Sequence, residues 1–446
     1  MPLTKVRRAS GGEAPMRTRN ILRAALAGLP VSIAAAQCTD QWNPVGGLGG
    51  VSPSVDALAW WDPDGEGPLA ARVVAGGTFT EADGVPVGYV ASWDGSAWSS
   101  LGEGVNGGIN AMTVLPDGRL VVAGSFSTAG GAPANNIAVF DGSGWTALGA
   151  GLGGECFALA VGPTGTLYAG GNFISAGGAP AHNVARWNGA AWSSLGSGSS
   201  DGVGGIVYSI VATQDGNVYV CGTFQSAGGV ANRRRVARWD GASWNGMSAG
   251  MNATVLALGR LGEGDIVAGG LFTTAGLSSA AHVARWDGSA WWPMDTGLNA
   301  QPLCFLTLPS GDLIAGGHFW YSGTTPMSKI ARWNGVSWAP MDSGMNQYVM
   351  SLLQLPSGDF VAGGGFTEAG GKSTTALARW GCPAVACDPD VNQDGNVDQD
   401  DVSYLINVVG GGDNPTGIDP DFNLDGNVDQ DDIAALIDVV AGGTCP

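Results

Sequence analysis

The sequence predicts a mainly β protein, a seven-bladed β-propeller closed by its N-terminal strand and followed by a small α-helical domain with two EF-hand-type calcium loops. Three observations predict this fold class. A segment that contains Val-Ala-Gly-Gly-x-Phe and then Ala-Arg-Trp-Asp-Gly, clearest in Ile266–Trp291, occurs in seven related copies. A strand-sized fragment, residues 41–46, precedes the first copy. Two acidic loops of twelve residues follow the last copy.

The repeat has an almost constant period. The aromatic residue of its Ala-Arg-Trp segment, which we call the partner aromatic, recurs every 47 residues. The one exception is an insertion of about five residues between Trp187 and Trp239. The phenylalanines are Phe79, Phe126, Phe173, Phe224, Phe272, Phe319 and Phe366, and the partner aromatics are Trp93, Phe140, Trp187, Trp239, Trp286, Trp333 and Trp380. A fixed period of about 40–50 residues with strand-like content is typical of a propeller or a solenoid.

Each copy contains four strand-sized runs. In the fifth copy these are Val255–Arg260, Asp265–Leu271, His282–Trp286 and Ser289–Met294. An Asp-Gly or Asn-Gly pair joins the third run to the fourth, and such pairs favour tight hairpins because both residues tolerate positive φ. Four antiparallel strands in each of seven copies predict a seven-bladed propeller over residues 37–381.

The ends of the repeat region predict how the ring closes. The last copy stops at Trp380, after its third run, whereas residues 41–46 match a fourth run without a copy of their own. We therefore expect the N-terminal strand to complete the seventh blade. This pairing would place Cys38 beside Cys382, and we predict a disulfide between them, which an exported protein can keep oxidised.

The remaining cysteines have no assigned partner within the ring. Cys156 and Cys304 lie in first strands and Cys221 lies in a second strand, so we expect all three to be buried and unpaired. Spacing alone does not pair cysteines.

Residues 1–36 have the pattern of a secretory signal peptide. Arginines precede the short apolar run Ile21–Ala35, which ends in an Ala-x-Ala cleavage site. We place the natural start at Met16 and cleavage after Ala36. The alternative is a membrane anchor, but the run is short and contains an arginine and a proline. We expect a product that is secreted, extracellular or attached to the cell surface, with no transmembrane segment.

The net charge of the chain argues against polyanionic partners. The net charge is −19, which argues against binding to nucleic acid or to anionic membranes. Residues 388–446 contain 14 of the 38 acidic residues and no Lys or Arg. This asymmetry indicates a separate module at residues 382–446 with a cation site.

The order Gly-Gly, aromatic, then Trp resembles the kelch repeats of galactose-oxidase-type propellers. The fuller string AGGxFxxAGG…ARWDGxxW is similar to repeats in fungal cortical polarity-marker proteins. The resemblance covers about 340 residues, from the first copy to the last. It implies the fold and says little about function, because one fold hosts both enzymes and binders.

No catalytic or cofactor site is predicted in the ring. The histidines His182, His282 and His318 are dispersed, and no carboxylate pair or nucleophile motif is evident. One Trp in each copy is expected to pack in the core. The recurring arginines beside these tryptophans are expected to hydrogen-bond between blades, and they are Arg186, Arg238, Arg285, Arg332 and Arg379.

A partner face is predicted where the copies differ. The two longer connections of each blade lie on one face of a propeller, and the tight turns lie on the other. Departures on the long-connection side are Arg233–Arg235, the insertion Gly198–Gly205 and the pair Trp320–Tyr321. We expect a protein or glycan ligand on this face.

The C-terminal module contains two predicted calcium loops 31 residues apart. Oxygen ligands fall at loop positions one, three, five, nine and twelve, with a backbone carbonyl at seven and a glycine at six. The predicted ligands of two Ca²⁺ ions are Asp390, Asn392, Asp394, Asn396, Asp398 and Asp401 in the first loop, and Asp421, Asn423, Asp425, Asn427, Asp429 and Asp432 in the second. The alternative interpretation is a disordered acidic tail.

Each loop leads into apolar residues at helical spacing. These are Val402, Leu405, Ile406 and Val409 after the first loop, and Ile433, Leu436, Ile437 and Val440 after the second. The duplicated loop and helix resemble the type I dockerin module, which implies calcium-dependent binding to a cohesin domain. Loop positions ten and eleven, which set the partner in that family, are Gln-Asp in both copies and differ from the usual Ser-Thr. Cys387 and Cys445 flank the pair and are predicted to clamp it.

The sequence as a whole predicts a secreted, monomeric, non-enzymatic binding or scaffold protein. The propeller would present an interaction face, and the tail would bind a cohesin-like or other surface protein. Two alternatives stay open: a carbohydrate-active enzyme that degrades polysaccharide, and a structural protein of the cell envelope.

Overall fold

The computed structural model describes residues 40–65, 70–196, 198, 201–262, 264–381, 391–392, 399–414, 420, 422, 428 and 430–440. These residues form a mainly β protein with two helices, α1 (Gln399–Val409) and α2 (Gln430–Val440). Neither helix is long and apolar enough to cross a membrane.

Short strands make up most of the described chain. Those up to the end of the third repeat are β1 (Gln41–Pro44), β2 (Leu48–Gly49), β3 (Val55–Trp61), β4 (Arg72–Gly77), β5 (Glu81–Ala82), β6 (Val85–Pro86), β7 (Val90–Trp93), β8 (Trp98–Ser100), β9 (Ile109–Val114), β10 (Leu120–Gly124), β11 (Thr128–Ala129), β12 (Ala132–Pro133), β13 (Ile137–Phe140), β14 (Trp145–Ala147), β15 (Leu152–Val161), β16 (Leu167–Ala176), β17 (Ala179–Pro180), β18 (Val184–Trp187) and β19 (Trp192–Ser194). The later strands are β20 (Val207–Ala212), β21 (Val218–Gly222), β22 (Ser226–Ala227), β23 (Val230–Ala231), β24 (Val236–Trp239), β25 (Trp244–Gly246), β26 (Val255–Leu261), β27 (Asp265–Gly270), β28 (Thr274–Ala275), β29 (Ser278–Ser279), β30 (Val283–Trp286), β31 (Trp291–Pro293), β32 (Pro302–Thr307), β33 (Leu313–Gly317), β34 (Tyr321–Ser322), β35 (Thr325–Pro326), β36 (Ile330–Trp333), β37 (Trp338–Pro340), β38 (Val349–Gln354), β39 (Phe360–Gly364), β40 (Glu368–Ala369), β41 (Lys372–Ser373) and β42 (Leu377–Gly381).

Within the described residues, seven sheets are each built on four antiparallel strands, and we number them 1 to 7 in chain order of their first strands. Their strand orders are β3-β4-β7-β8, β9-β10-β13-β14, β15-β16-β18-β19, β20-β21-β24-β25, β26-β27-β30-β31, β32-β33-β36-β37 and β38-β39-β42-β1. The first strand of each sheet contacts the first strand of the next, and β38 contacts β3. The sheets therefore form a ring around their first strands, as in a β-propeller.

Sheet 7 takes its outer strand from the N-terminal end of the ring. Strand β1 pairs with β42, and Trp42 lies opposite Trp380, as the sequence predicts. The Lys372 ammonium fastens this strand, because it donates to Gln41 Oε1 at 2.7 Å and to the carbonyl of Trp42 at 2.9 Å. The predicted Cys38–Cys382 and Cys387–Cys445 disulfides fall outside the described residues.

The Asp-Gly turns are built by side-chain acceptors. Asp287 Oδ1 accepts hydrogen bonds from the backbone N–H of Ser289 and Ala290, both at 2.8 Å, and Gly288 has a φ of 94°. These bonds occupy the two residues before β31, so this strand starts two residues later than the predicted run from Ser289. The turn is an Asx turn that passes directly into the hairpin.

The long connection after each phenylalanine has structure that the sequence does not predict. Short two-residue strands form a small hairpin there, as in β28–β29 and β34–β35. The connection between consecutive sheets bridges to this hairpin, for example at Met251 and Ala275. The long-connection face is therefore a ring of hairpins that are braced by the preceding sheet.

Tryptophan indoles join each sheet to the one before it. The Nε1 of Trp291 in β31 donates to the carbonyl of Met247, which follows the outer strand of sheet 4, at 3.1 Å. Every sheet has such a bond: Trp98 to Gly46 (2.8 Å), Trp145 to Leu101 (2.7 Å), Trp192 to Leu148 (2.9 Å), Trp244 to Leu195 (2.9 Å), Trp291 to Met247 (3.1 Å), Trp338 to Met294 (3.2 Å) and Trp42 to Met341 (3.2 Å). An indole hydrogen bond therefore joins each of the seven sheets to the sheet before it.

The arginines do not bridge sheets as predicted. Arg285 Nη1 donates to Asp265 Oδ2 at 2.8 Å, and Arg379 Nε donates to Asp359 Oδ2 at 2.7 Å, in both cases within one sheet. Arg332 pairs with Asp312 in the same way. Third and second strands are direct neighbours, so an arginine reaches the acid at the start of the second strand before it reaches another sheet.

The three ring cysteines are free, as predicted. Cys156 and Cys221 are fully buried, whereas Cys304 is only partly buried. Burial raises the pKa of the Cys156 thiol to about 12, so it stays protonated and unreactive at neutral pH.

The two C-terminal helices share a small core in which Leu405 and Leu436 are fully buried together with Val391. The predicted helices after both loops are therefore present. Ile406 and Ile437 were expected to belong to the apolar face, but they are 50% and 49% exposed. Each follows a buried leucine, and consecutive residues lie about 100° apart around a helix, so the isoleucine turns toward solvent.

We predict that Trp291→Phe lowers the free energy of unfolding by about 1–3 kcal/mol, because the carbonyl of Met247 loses its donor. Urea unfolding followed by circular dichroism measures this difference. Trp292→Phe is the matched control, since Trp292 is 50% exposed and its indole donates to Asp287 of its own turn. Equal losses in the two variants would contradict a structural role of the bond between sheets.

A second prediction concerns the turn acid Asp141. The Ser143 hydroxyl, followed by the backbone N–H groups of Ser143 and Gly144, lowers the pKa of this carboxyl to about 2 from an ordinary value of 3.8. A lowered pKa in the folded state means that the carboxylate stabilises the fold above pH 4 and loses this effect as the pH falls toward 2.

The Asp141→Ala variant should therefore have a lower melting temperature than the wild type at pH 6, and the difference should shrink as the pH falls to about 2. Asp141→Asn is the control, because Asn188 fills the equivalent turn and accepts the same two backbone bonds. A difference for the alanine variant that does not change with pH would show that the carboxylate charge plays no part.

Candidate functional site

Three of the twelve predicted calcium ligands, Asn392, Asp401 and Asp432, lie among the described residues. Asp390, Asp394, Asn396, Asp398, Asp421, Asn423, Asp425, Asn427 and Asp429 lie outside them. In the described part of the chain no group of three or more His, Cys, Asp or Glu side chains is arranged to hold a metal ion. The calcium sites therefore stay a prediction. The three described residues show only whether their own positions are compatible with it.

The described ligands fit a calcium loop. Asp401 is the twelfth loop residue and lies in the first turn of α1, where the helix dipole favours an acidic side chain. Its side chain is fully buried, and its Oδ1 accepts a hydrogen bond from the backbone N–H of Asn392, the third loop residue, at 3.1 Å. Asp432 at the twelfth position of the second loop is also fully buried. A calcium loop needs its third and twelfth residues close together, and the first loop meets this condition.

The long-connection face is the second candidate region. Asparagines at its rim fix several of the hairpins: Asn299 Oδ1 accepts from the backbone N–H of Trp320 at 2.8 Å and of Tyr321 at 2.9 Å. Asn106, Asn252 and Asn346 make the same pair of bonds in sheets 2, 5 and 7. The side chains on these hairpins are therefore presented on a fixed backbone.

One group of side chains on this face departs from the repeat, and we call it the Trp320 cluster: His318, Trp320, Tyr321, Lys329 and Tyr348. Trp320 is 45% exposed and Tyr321 44% exposed. The Lys329 Nζ lies 3.9 Å from the centroid of the Trp320 ring and donates to the carbonyl of His318 at 2.9 Å. The His318 ring packs against the Tyr348 ring with centroids 5.2 Å apart.

The electrostatics of the cluster follow from burial. Lys329 is only 7% exposed, and burial lowers the pKa of its ammonium. Burial, with a smaller effect of the Lys329 charge, also lowers the pKa of His318, so its imidazole is neutral at pH 7. No carboxylate lies within ion-pair distance of Lys329 in the described residues. The ammonium is therefore stabilised by a carbonyl and an indole ring.

The other residues predicted for the partner face make polar contacts with nearby backbone or side chains. Arg235 Nη1 donates to the carbonyl of Met251 at 2.7 Å, and Arg233 Nη1 donates to the carbonyl of Ala227 at 3.1 Å. In the insertion, Asp201 Oδ2 lies 3.2 Å from His182 Nδ1. These arginines stabilise local backbone and are not a free basic patch.

The sequence identified Trp320 and Tyr321 and treated His318 as incidental, but it missed Lys329 and Tyr348. Lys329 lies across the hairpin from Trp320, and Tyr348 comes from the connection to the next sheet. Both positions vary among the seven repeats, so the repeat pattern alone singles out neither residue. The structure identifies them by the contacts of Lys329 with Trp320 and of Tyr348 with His318.

Comparisons with known proteins support the propeller. The family model described as a domain of unknown function (DUF5122), beta-propeller, matches residues 115–144. The extracellular domain of a one-component system from B. thetaiotaomicron is 12% identical, with a TM-score of 0.50 over 76% of this chain and 39% of its own. The WD40 β-propeller domain of Doa1 is 13% identical, with a TM-score of 0.50 over 77% of this chain and 96% of its own.

This chain thus spans about two fifths of the bacterial extracellular domain that it resembles. At such identities the likeness concerns the fold alone. Comparison with curated protein sequences finds no match. The chain is a mainly β protein with a propeller fold, and its function has to be argued from its own residues.

Proposed function

We propose that this is a secreted, non-enzymatic binding protein, in which a closed, seven-bladed, kelch-like propeller presents a ligand face and a dockerin-like tail attaches it to a surface. The observation that carries the binding role is the Trp320 cluster. Aromatic side chains that are about half exposed and held on fixed backbone are typical of recognition sites. The propeller neighbours, an extracellular domain and a WD40 domain, fit a binding or scaffold role.

The tail is proposed to fold around two Ca²⁺ ions. Support comes from Asp401, whose buried carboxylate already contacts the backbone of the third loop residue. A buried carboxylate is retained where hydrogen bonds or a cation compensate its charge, and calcium prefers such oxygen ligands. The equivalent burial of Asp432 extends the argument to the second loop.

The partner surface of the tail is proposed to include Ile406 and Ile437. The two residues hold equivalent positions in α1 and α2 and are about equally exposed. Because the loop and helix are duplicated, a partner that binds one copy could bind the other in a related orientation. A cohesin-like or other surface protein is the proposed partner, and we propose that the protein itself is a monomer exported by its signal peptide.

We predict that calcium titration of the full-length protein by isothermal calorimetry gives two bound ions, and that Asp401→Ala or Asp432→Ala gives one. Loss of the twelfth ligand removes a carboxylate that binds the ion directly. Asp400→Ala is the matched control, since it removes the same charge from the adjacent exposed position. If both alanine variants bind as much calcium as the control, the loops are not calcium sites.

Attachment is tested by capture from the envelope and secreted fractions of the native organism. We predict that the full chain retains a surface protein in calcium and releases it in chelator, and that the double variant Ile406→Asp, Ile437→Asp does not retain it. Val336→Asp is the control, because Val336 is 79% exposed and lies in a turn of the propeller. Capture that is unaffected by chelator and by the double variant would overturn attachment through the tail.

A further inference from the structure

The residues of the Trp320 cluster differ from those at the same positions in the other repeats. At the position of Trp320 the other repeats have Thr80, Ser127, Ile174, Gln225, Thr273 and Thr367, none of them aromatic. No other repeat has lysine at the position of Lys329, histidine at that of His318 or tyrosine at that of Tyr348. Core packing uses what the repeats share, and these positions vary among the repeats, so the ring itself does not require these side chains.

The departures also meet in space, although they come from three segments. Trp320 and Tyr321 are on one arm of the hairpin, Lys329 follows its other arm, and Tyr348 precedes β38 of the next sheet. The Tyr348 ring packs directly on Gly365, where an added Cβ would lie 2.6 Å from the ring. The glycine at this position therefore makes room for the tyrosine.

Lys329 gives up a bond that other repeats make. In sheets 2, 3 and 4 the residue at this position donates to the carbonyl of the next connection, as Asn136 does to Leu152, Asn183 to Val203 and Arg235 to Met251. Lys329 instead turns to the carbonyl of His318 and the face of Trp320. Its φ of 73° is left-handed, and the equivalent residues of the other repeats share this conformation: Tyr89, Asn136, Asn183, Arg235, His282 and Ala376. The backbone here therefore belongs to the fold, and only the lysine side chain distinguishes this repeat.

The result is an indole that is contacted by an ammonium and is still nearly half exposed. The ammonium occupies one face of Trp320, Asn299 holds its backbone, and nearly half of the side chain stays in solvent. An aromatic ring held in this way loses little rotamer freedom when a ligand stacks on it. Lys329 also donates to the carbonyl of His318, whose ring packs against Tyr348. An imidazole and a phenol can both exchange hydrogen bonds with hydroxyl groups.

We propose that the Trp320 cluster binds neutral sugar rings of a polysaccharide, with the apolar face of one ring stacked on Trp320. This inference rests on the proposed binding function and names its ligand class. A hexose has an apolar C–H face and a rim of hydroxyl groups, which match an exposed indole bordered by neutral donors and acceptors. A stable protein interface buries about 800 Å² on each partner, far more than two half-exposed aromatic side chains offer.

Lys329 acts as a positioning residue in this site. Its ammonium is buried beneath the indole, so it fixes the stacking platform through a cation–π contact. Loss of the charge should therefore weaken ligand binding through the orientation of Trp320. Lys329→Arg should restore binding, because guanidinium also packs on indole faces.

The test is isothermal calorimetry of the full-length protein with cellohexaose, laminarihexaose, xylohexaose, mannohexaose and chitohexaose, and with oligogalacturonate as the acidic probe. We expect at least one neutral oligosaccharide to bind and Trp320→Ala to weaken it by roughly tenfold or more. Trp292→Ala is the matched control, because this tryptophan is similarly exposed on the tight-turn side and should leave affinity unchanged. Lys329→Met should weaken binding about threefold to tenfold at a temperature where circular dichroism shows the variant to be folded.

Three results would overturn the inference: no neutral probe binds, the acidic probe alone binds, or Trp320→Ala and Trp292→Ala bind equally well. Capture by the propeller of a protein that Trp320→Ala loses would also overturn it, since the cluster would then be a protein site. In that case the proposed binding function would survive. If the protein binds sugar but its tail captures no surface protein, this inference stands. That result would reject only the proposed attachment through the tail.

Discussion

The hydrogen bond from an outer-strand indole to the preceding sheet is the interaction on which this structure depends. A four-stranded sheet exposes two broad faces, and the ring buries both only if neighbouring sheets stay in register. Each tryptophan fills the gap with its ring and satisfies its N–H on a carbonyl of the neighbour, as Trp145 does at 2.7 Å. Because Trp42 supplies the bond in sheet 7, the N-terminal strand is needed both for pairing and for contact between sheets.

This constraint determines where the chain is free to vary. The second strands are mostly buried up to their Gly-Gly pair, and the phenylalanine after each pair is buried as well. The tight turns need Asp or Asn acceptors for their backbone N–H groups. Variation is left to the hairpins of the long-connection face, which are braced by asparagines such as Asn299. A binding site on this fold therefore develops where a stiff backbone carries side chains that the ring does not need.

Most of the ring could be predicted from the sequence because its determinants are local. The Asp-Gly turns fix the hairpins. The strand at Trp42 has no repeat of its own, and the last repeat lacks a fourth strand, so the two can be matched from the sequence. The arginine pairs could not be predicted from spacing alone, because the choice between Asp265 and a neighbouring sheet depends on strand register. The contact of Lys329 with Trp320 depends on the direction of one side chain at a position that is left-handed in every repeat, and the sequence pattern does not report this direction.

In the C-terminal module one buried carboxylate joins a loop residue to the helix that carries an exposed isoleucine. Asp401 holds the loop against the first turn of α1, and Leu405 lies one turn further along the same helix in the core shared with Leu436. Burial of Leu405 necessarily turns Ile406 outward, since adjacent helical residues point about 100° apart. Any ion that orders the loop through Asp401 therefore also fixes the direction in which Ile406 faces. Asp432 and Leu436 are buried and Ile437 is half exposed at the equivalent positions of the second copy, so the two helices present equivalent apolar side chains.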